Sequence, residues 1–408
     1  MLYDVIVVGA GPAGSTAARE CALLGSSVLL LDKAEFPRDK PCGGGVTVRA
    51  ANLLPFEISP VVERVITGLR ITTRQSNEFG RTFAGPLAYM TLRSRLDQFL
   101  VDRAIDAGVV TRLGVGVKEV ERLPNGVAVH TDDGRIQGRT MVIADGANGQ
   151  VSNLAGIEVR PLHHVALEAN ISPPDGVTEP WQDSVGVDIG GIRGGYGWIF
   201  PKGDHLNIGI GGWRYVGPGL RDALHGLVNF CGFDQKDLWG IRGYNLLIRR
   251  QGSPLSDGNI VLVGDAAGLI DPMTDAGIHS AIFSGKVAAK HISEYVAGEV
   301  PDLDGYRRQI ESDLVPQLRV SRQFHDLFHL TPALHIAIER RTSILWSVTC
   351  RIIRGEQTYP GVMRRHKNLG TVVEFVSDLI RVTPLLRRMS GLRDPAPTQR
   401  FFLRGQHR

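Results

Sequence analysis

The first residues with an evident capacity for chemistry are Cys42 and the three glycines after it, in the stretch RDKPCGGG at positions 38–45. A thiol can act as a weak proton donor. Three consecutive glycines pack no core and lose more conformational entropy on folding than other residues. We therefore expect a flat or bulky group to approach this backbone closely. A packed, inert thiol is the alternative, since free cysteine is often buried.

The elements that would position such a loop begin at the N-terminus, in YDVIVVGAGPAGSTAARECALLG. An apolar run predicts a buried strand, and Gly9, Gly11 and Gly14 form GxGxxG before a predicted helix. Backbone amides at such a junction can hold a pyrophosphate. The next strand, SSVLLLDK, ends at Asp32, 23 residues after Gly9, the distance at which an acid meets a ribose hydroxyl. An acid there favours FAD or NAD over NADP.

A second strand and turn occur in GNIVLVGDAAGLIDPMTDAGIHSA, where the strand Ile260–Val263 is followed by Asp265. A carboxylate at a strand end can accept a hydrogen bond from a sugar alcohol such as the ribityl chain of a flavin. The helix predicted to begin near Gly277 could stabilise negative charge on a reduced flavin through its N-terminal dipole. The two segments together predict FAD.

The pair GAGPAG and GDAAG, with RSRLDQFLVDRAIDAG and MVIADGANGQVSNLAG between them, resembles the FAD-dependent group 2 oxidoreductases with the aromatic-hydroxylase fold. Within that group, FPRDKPCGGGV and GGYGWIFPKGDHLNIGIGG resemble the geranylgeranyl reductase family. The likeness spans residues 1–300 and continues loosely through CRIIRGEQTYPGV. That family reduces isolated double bonds of prenyl chains in chlorophyll precursors, archaeal lipids and menaquinone.

The resemblance implies the positions that touch the cofactor. The implied cofactor-binding residues are Gly9, Gly11, Ala13, Gly14, Asp32, Lys33, Cys42, Gly43, Gly45, Arg93, Val117, Asp265, Gly277 and Ile278. Arg93 fits the family pattern in TLRSRLDQFL, and Val117 is expected in a strand, GVGVKEV, near the adenine. Cys42 is the implied catalytic residue, either as a proton donor to the substrate carbon or as a small contact that shapes the pocket. NAD(P)H or a ferredoxin is the expected transient electron donor.

Three aromatic residues alternate along a predicted strand: Tyr196, Trp198 and Phe200. Side chains at i, i+2 and i+4 share one face of a strand, so the rings should form one wall. An apolar, aromatic wall suits a hydrophobic prenyl chain, whereas packing within a sheet core is the alternative. These three are the predicted substrate-binding residues.

The chain departs from the family in one loop, because it has Thr274-Asp275-Ala276-Gly277-Ile278 where the family has Thr-Gly-Glu-Gly-Ile. The segment DPMTDAGIHSA is also similar to the flavin-dependent halogenases, which share the fold. A flavin-dependent monooxygenase or halogenase acting on an aromatic or polyketide substrate is therefore the alternative function. The lysine that halogenases require has no counterpart in LRITTRQSNEFGR. A flavin-bound redox or binding protein at a membrane surface is a third hypothesis.

The implied fold is α/β: a Rossmann-type FAD-binding domain of the glutathione-reductase-like class, interleaved with an antiparallel-sheet substrate domain and followed by a helical C-terminal region. The predicted boundaries are 1–65, 90–160 and 255–300 for the FAD-binding domain, 66–89 and 161–254 for the substrate domain, and 301–408 for the helical region. His163, His164, His205 and His279 have no metal-ligand spacing, and the four scattered cysteines form no CxxC pair, so no metal site is predicted.

Charge is uneven along the chain. Residues 301–408 carry 18 Lys+Arg and 10 Asp+Glu, a balance of +8, against −4 for the rest. No nucleic-acid motif is present. The amphipathic segments TSILWSVTCRIIRG and LGTVVEFVSDLIRVTPLLRRM are expected to pack at least half of their helices over the substrate domain. The other interpretation, compatible with the first, is a peripheral membrane contact, with Arg387, Arg388, Phe401 and Phe402 on the membrane side. The widely spaced cysteines, the absence of an 18-residue apolar run and an N-terminus that enters a strand at once predict a cytoplasmic protein. Peripheral membrane association is the further option that the basic C-terminal segments leave open.

Overall fold

A computed structural model of the chain describes residues 2–365, 367–383 and 385–386. The residues predicted to face a membrane, Arg387, Arg388, Phe401 and Phe402, lie outside the described residues.

The strands are numbered in chain order. They are β1 (Leu2–Val8), β2 (Val28–Asp32), β3 (Gly45–Thr47), β4 (Val62–Ile66), β5 (Gly68–Thr73), β6 (Phe79–Thr82), β7 (Ala88–Thr91), β8 (Val110–Leu113), β9 (Glu119–Leu123), β10 (Gly126–Thr131), β11 (Gly134–Ile143), β12 (Leu162–Ile171), β13 (Ser184–Ile189), β14 (Gly195–Pro201), β15 (Leu206–Trp213), β16 (Trp239–Ile248), β17 (Ser256–Asp257) and β18 (Ile260–Leu262).

The α-helices are numbered in the same way. They are α1 (Pro12–Leu23), α2 (Val48–Ala51), α3 (Arg93–Asp106), α4 (Val151–Leu154), α5 (Leu220–Phe230), α6 (Ile278–Val296), α7 (Asp304–Asp313), α8 (Val315–Leu330), α9 (Pro332–Arg341), α10 (Ile344–Arg354), α11 (Tyr359–Arg365) and α12 (Lys367–Val382). Short 3-10 turns cover Ser59–Val61, Arg214–Gly219, Gln235–Asp237 and Gly264–Ala267.

An eight-stranded sheet carries both of the predicted nucleotide-binding turns. Its main path runs β17-β18-β11-β1-β2-β8, and the β9–β10 hairpin extends from β11. The neighbours from β18 to β8 pair in parallel. Helices α1 and α6 pack against each other. Residues Val5–Val8 of β1 and all of β2 are buried, as expected for parallel strands covered on both faces.

The second large sheet of the molecule has seven strands. Its order is β16-β12-β15-β14-β13-β5-β6, and every pair is antiparallel except the parallel pair of β13 with β5. A small sheet, β3-β7-β4, contains the strand that follows the Cys42 loop. The two larger sheets therefore draw on the predicted FAD-binding and substrate segments respectively.

Helices α7 to α12 follow the sheets and make up the C-terminal region. Helix α8 packs against α7, α11 and α12. The Tyr306 hydroxyl of α7 donates to the Leu262 carbonyl at 2.6 Å, which ties the region to the eight-stranded sheet. Among the described residues, none of the helices combines the length and the apolarity that a bilayer span requires. The predicted fold class is confirmed, while the domain boundaries stay a prediction.

Candidate active site

The turn between β1 and α1 is shaped by glycines that no other residue could replace. Gly9 has φ +106°, and a Cβ there would lie 2.3 Å from the Ala144 carbonyl oxygen. A Cβ on Gly14 would lie 1.8 Å from the Gly9 carbonyl oxygen. Helix α1 begins at Pro12 after Gly11, and no side chain caps it. Its first N–H groups are therefore available to an anion.

Two arginines lie beside this helix start. A Cβ on Gly11 would be 3.5 Å from Arg38 Nη2 and 4.0 Å from Arg93 Nη2. Arg93 donates to both oxygens of Asp97, at 2.8 and 2.7 Å, and Arg38 Nη2 lies 3.0 Å from Asp97 Oδ2. Burial opposes the charge of Arg93, but Asp97 raises its pKa overall. The two arginines and one carboxylate leave a net positive charge at the helix start.

Arg38 supplies a further sign that an anion binds here. Its Nη1 is buried and has no hydrogen-bond partner, and unpaired buried donors are rare in folded proteins. The uncapped helix start, the glycine cradle and this donor together fit a pyrophosphate. The structure thus brings Gly9, Gly11, Gly14 and Arg93 to one place. Asp97 belongs to the same sequence motif as Arg93, and the structure shows that the two form an ion pair.

Asp32 lies at the end of β2 and is 8% exposed. Its two carboxylate oxygens accept hydrogen bonds from the N–H groups of Ala10 at 2.7 Å and Ala34 at 2.9 Å. A carboxylate has about four lone-pair sites, so a ribose hydroxyl can still donate to it. Lys33 is exposed beside Asp32. The acid therefore both holds the glycine turn and remains able to bind a sugar.

The prediction that Val117 belongs to a strand is wrong. Strand β8 ends at Leu113, and Val117 lies in the connection before β9. Gly114, with φ +81°, turns the chain out of the sheet. Hydrogen bonds from Gly114 N to Ala34 O and from Val115 N to Asp32 O then hold the connection against the end of β2. The loop that contains Val117 therefore lies against the end of β2, where a Cβ on Gly116 would be 3.6 Å from the Cβ of Lys33.

The turn after β18, which begins at Gly264, packs against the start of α1. A Cβ on Gly264 would lie 3.0 Å from the Cβ of Ala13 in α1. Asp265 follows, and its Oδ2 lies 3.2 Å from Lys40 Nζ. Helix α6 begins at Ile278 after Gly277, without a side-chain cap, and a Cβ on Gly277 would lie 2.9 Å from Asp265 Oδ1. Both motifs and the loop at 38–45 therefore share one site.

The Cys42 loop packs directly on the aromatic strand. A Cβ on Gly43 would lie 2.5 Å from Phe200 Cδ2, so only glycine fits against the ring. Gly44 has φ +66°, and a Cβ there would lie 2.1 Å from the Thr91 carbonyl oxygen. The Gly44 N–H points to Cys42 Sγ at 3.4 Å. Gly45 begins β3 and pairs with Met90. Gly43 and Gly44 thus allow a ring and a carbonyl to approach the backbone closely, whereas a Cβ on Gly45 would meet Met90 at an ordinary 3.9 Å. The approach of a flavin to this loop stays a prediction.

Two buried ionisable residues, neither of which was predicted from the sequence, hold this loop. Glu168 of β12 is 2% exposed, and its Oε1 accepts from Cys42 N–H at 3.1 Å. Burial raises the pKa of Glu168 to about 7. Lys202, also 2% exposed, donates to the carbonyls of Gly43 and Thr91, and burial lowers its pKa to about 8. The available signal was one acid inside the strand LHHVALEANI and one lysine after WIFP.

The three aromatic residues form one row, as the alternation predicts. Ring centroids are 6.1 Å apart for Tyr196 and Trp198, and 6.3 Å apart for Trp198 and Phe200. Trp198 is 4% exposed and donates to Asn207 Oδ1 at 2.8 Å. The Tyr196 hydroxyl donates to the Thr274 carbonyl at 2.8 Å. The row therefore runs from the Cys42 loop to the loop before α6.

The loop that departs from the family pattern has a structural partner in this chain. Asp275 has φ +52°, a conformation that aspartate adopts more readily than most residues. Its Oδ1 lies 2.8 Å from Nδ1 of His164, which is 1% exposed. His164 stacks edge-on against Trp213, with ring centroids 4.0 Å apart. The aspartate that replaces the family's glycine is thus paired with a buried histidine of β12.

Metal ligation finds no support in the part of the chain that the structure describes. No group of three or more His, Cys, Asp or Glu side chains there is arranged to hold a metal ion. His205 lies beside Asp204, and His279 stacks on Phe283.

The glycine cradles, the uncapped helix starts and the Arg38 donor fit a dinucleotide. The FAD-binding domain family matches residues 2–189. The protein is an FAD-dependent oxidoreductase.

Relatives that align with most of the chain identify a family within the FAD-dependent oxidoreductases. The chain is 30% identical to the menaquinone reductase of Mycolicibacterium smegmatis over 86% of this chain and 91% of the relative. It is 31% identical to digeranylgeranylglycerophospholipid reductase 1 of Methanopyrus kandleri over 71% of this chain and 80% of the relative. The chain belongs to the geranylgeranyl reductase family, which confirms the predicted resemblance.

Solved structures agree on the fold. A geranylgeranyl bacteriochlorophyll reductase-like protein from Thermoplasma acidophilum superimposes with a TM-score of 0.75 at 23% identity, covering 90% of this chain and 99% of that one. A flavin-dependent brominase superimposes with a TM-score of 0.71 at 21% identity, covering 87% of this chain and 94% of that one. At these identities the likeness concerns the fold alone.

Proposed function

We propose that this protein saturates isolated C=C bonds of a prenyl chain of the geranylgeranyl type, carried on a lipid, a quinone or a chlorophyll precursor. The observation that carries the proposal is the contact of the Cys42 loop with the aromatic row. Gly43 lies against Phe200, so a thiol and an apolar wall share one site. A prenyl chain is apolar and polarisable, and it packs well on aromatic rings.

The residues proposed to hold FAD follow the length of the site. Asp32, Lys33 and the Val117 loop would bind the adenosine end. The turn of Gly9, Gly11, Ala13 and Gly14 with Arg93 would bind the pyrophosphate, and Asp265 the ribityl chain. Cys42, Gly43, Gly45, Gly277 and Ile278 would contact the isoalloxazine ring. When bound and reduced, FAD supplies a hydride, which is the difficult part of alkene reduction.

The chain's own contribution is orientation and a proton. Tyr196, Trp198 and Phe200 would align the prenyl chain against the ring and exclude water. Cys42 would donate a proton to the second alkene carbon. The thiolate so formed would be stabilised by the Gly44 N–H and the buried Arg93 guanidinium, both of which face Sγ. Hydrogen bonds and opposite charges favour an ionised group.

The electrons are proposed to come from NAD(P)H or a ferredoxin that binds transiently. Incubating the FAD-loaded protein anaerobically with each donor, and following the loss of flavin absorbance, tests this point. A donor that bleaches the flavin in seconds supports its role. A donor that leaves the oxidised spectrum unchanged is not the physiological one.

We further propose that the C-terminal helices contact an anionic lipid surface, from which prenyl tails could enter. Phe375, Leu379 and Val382 of α12 are 66%, 40% and 75% exposed, and their spacing puts them on one helical face. Val373 and Ile380 are fully buried on the opposite face. The surrounding region, 301–408, has a charge balance of +8. An apolar face within a basic region fits an anionic membrane surface.

Vesicle sedimentation tests this contact. Phosphatidylglycerol vesicles should bind the protein more strongly than phosphatidylcholine vesicles, and the double substitution Phe375→Ser with Val382→Ser should weaken binding. Leu24→Ser is the matched control, because Leu24 is 54% exposed in the turn after α1. Equal binding of all variants to both vesicles would contradict the proposed surface.

Product mass tests the function itself. After anaerobic incubation with FAD, dithionite and prenylated candidates, the products should gain mass in steps of two hydrogens. A substrate that stays unchanged without oxygen, and gains oxygen or halogen once air and NADPH are present, would instead establish the alternative, a flavin-dependent monooxygenase or halogenase. The brominase-like fold makes this the second candidate.

A further inference from the structure

Glu168 of β12 is a buried carboxyl group that the mechanism above leaves without a role. Its Oε1 accepts from the Cys42 N–H at 3.1 Å. Its Oε2 is buried and has no hydrogen-bond partner, and the Asn207 side chain lies beside the carboxyl group. A buried carboxylate costs much desolvation energy unless both oxygens bind donors. The unpaired Oε2 therefore suits a carboxyl group that carries a proton on that atom.

The groups around Glu168 come from several elements. Arg242 and Tyr244 lie on β16, where Arg242 is the register partner of Glu168, and Lys202 follows β14. Burial raises the pKa of Glu168, although Arg242, the Cys42 N–H and Lys202 act in the opposite direction. Together these effects give Glu168 a pKa of about 7. The carboxyl group can therefore exchange a proton near neutral pH.

Lys202 holds the same loop from its other side. Its Nζ donates to the Gly43 carbonyl, and to the Thr91 carbonyl at 3.1 Å. The Cys42 N–H thus donates to Glu168, and the Gly43 carbonyl accepts from Lys202. Both Cys42 and Glu168 lie close enough to Lys202 to favour its charged form. An ammonium group in this position stabilises a thiolate and a carboxylate alike.

We propose that Glu168 stores the proton that restores the Cys42 thiol after each reduction. The inference rests on the proposed alkene reduction. There, the π bond breaks as one carbon gains a hydride, with both electrons from the reduced flavin, and the other gains the thiol proton. The Cys42 thiolate then takes the Glu168 proton. The carboxylate left behind is stabilised by Lys202 and the Cys42 N–H, and solvent returns its proton before the next turnover.

The test replaces the acid without removing its hydrogen bond. Glu168→Gln keeps an oxygen that can accept from the Cys42 N–H, but it cannot store a proton. Asp188→Asn is the matched control, because Asp188 is a 1% exposed carboxyl group of the same sheet that bonds to Thr72 and Gln75 instead of the loop.

The first readout is the rate at which iodoacetamide alkylates Cys42, measured by peptide mass spectrometry without substrate at pH values on both sides of 7. Only thiolates react. Burial raises the pKa of Cys231 and of Cys350 to about 12, so these thiols should react slowly. Burial raises the pKa of Cys21 as well. Peptide analysis separates Cys42 from them.

Above pH 7 the Glu168 carboxylate should disfavour the nearby thiolate. Glu168→Gln should therefore be alkylated faster than the wild type above pH 7, by roughly tenfold from the loss of one nearby negative charge, and at an equal rate below pH 7. Asp188→Asn should follow the wild type. Equal rates for Glu168→Gln and the wild type at every pH would overturn the inference. If Glu168→Gln does not fold, the wild-type profile decides: a second ionisation near pH 7 supports the inference, and a single ionisation overturns it.

Measuring repeated alkene reduction distinguishes a failure of the proton store from a failure of the proposed reductase function. With reduced FAD and a prenyl substrate, Glu168→Gln should complete the first reduction normally and slow in later ones, by roughly 100-fold. A wild type that reduces no alkene would overturn both proposals. A wild type that does, alongside a Glu168→Gln variant with unchanged repeated turnover, would overturn the proton store alone.

Discussion

Alanine substitutions along Gly43, Gly44 and Gly45 test whether the Cys42 loop packs as closely as the structure has it. At Gly43 the new Cβ would lie 2.5 Å from Phe200 Cδ2, against about 3.5–4.0 Å for a relaxed carbon contact. The ring would have to move by about 1 Å, and overpacking of this kind costs about 1–3 kcal/mol. This variant should therefore lower the free energy of unfolding by that amount.

Alanine at Gly44 and at Gly45 provides a larger and a smaller expected loss of stability with which Gly43→Ala can be compared. At Gly44 the left-handed conformation, with φ +66°, costs alanine about 1–2 kcal/mol. The Cβ would also lie 2.1 Å from a backbone oxygen of Thr91, which cannot rotate away. At Gly45 the Cβ would meet Met90 at 3.9 Å, an ordinary contact, so the change should stay within about 0.5 kcal/mol.

Urea unfolding of the FAD-loaded variants, followed by circular dichroism, measures this series. The expected order of destabilisation is Gly44→Ala, then Gly43→Ala, with Gly45→Ala near the wild type. Trp198 fluorescence should change in Gly43→Ala, because its Nε1 lies 3.6 Å from the new Cβ position. If Gly43→Ala were as stable as Gly45→Ala, the loop would not lie on Phe200, and the observation that carries the proposed function would fail.

Three further predictions follow from buried groups. Arg93→Met leaves the buried Asp97 carboxylate with Arg38 as its remaining partner and should cost about 1–3 kcal/mol in urea unfolding; a loss no larger than that of Arg308→Met, at an exposed arginine, would contradict the pairing. Trp198→Phe leaves Asn207 Oδ1 without its indole donor and should cost about 1–3 kcal/mol, which an unchanged unfolding midpoint would contradict. Burial lowers the pKa of His329 below its usual range, so the stability it contributes is present above the unfolded value of about 6.5 and is lost as pH falls, by up to about 1.4 kcal/mol per pH unit. His329→Leu should flatten this acid dependence, and an unchanged slope would contradict it.

The sequence was most informative where the chemistry is local. The Gly9–Gly14 turn and the uncapped start of α1 depend on a few consecutive residues, and the alternation of Tyr196, Trp198 and Phe200 depends only on the period of a strand. Val117 was misplaced because apolar alternation continues past Leu113, although Gly114 turns the backbone out of the sheet. In the sequence, the glycine at 114 was the one indication that the strand ends there.

The residues that hold the Cys42 loop could not be predicted, because they are distant in sequence. Glu168 lies 126 residues from Cys42, and Lys202 lies 159 residues from Gly43. Their roles arise only when β12 and β14 bring them to the loop. The pair of His164 with Asp275 is another such case, since neither residue alone indicates the other. An acidic residue within an apolar strand, such as Glu168, indicated that the position matters, but the sequence did not show which residue it contacts.

The central claim is that a prenyl double bond accepts electrons from flavin in this site. Its most direct test is stopped-flow absorbance of the FAD-loaded, dithionite-reduced protein mixed anaerobically with a geranylgeranyl lipid, and with the fully saturated analogue as control. We predict that the unsaturated chain restores the oxidised flavin spectrum and that the saturated chain does not. A flavin that stays reduced with both lipids, and is reoxidised only when oxygen is admitted, would contradict the account.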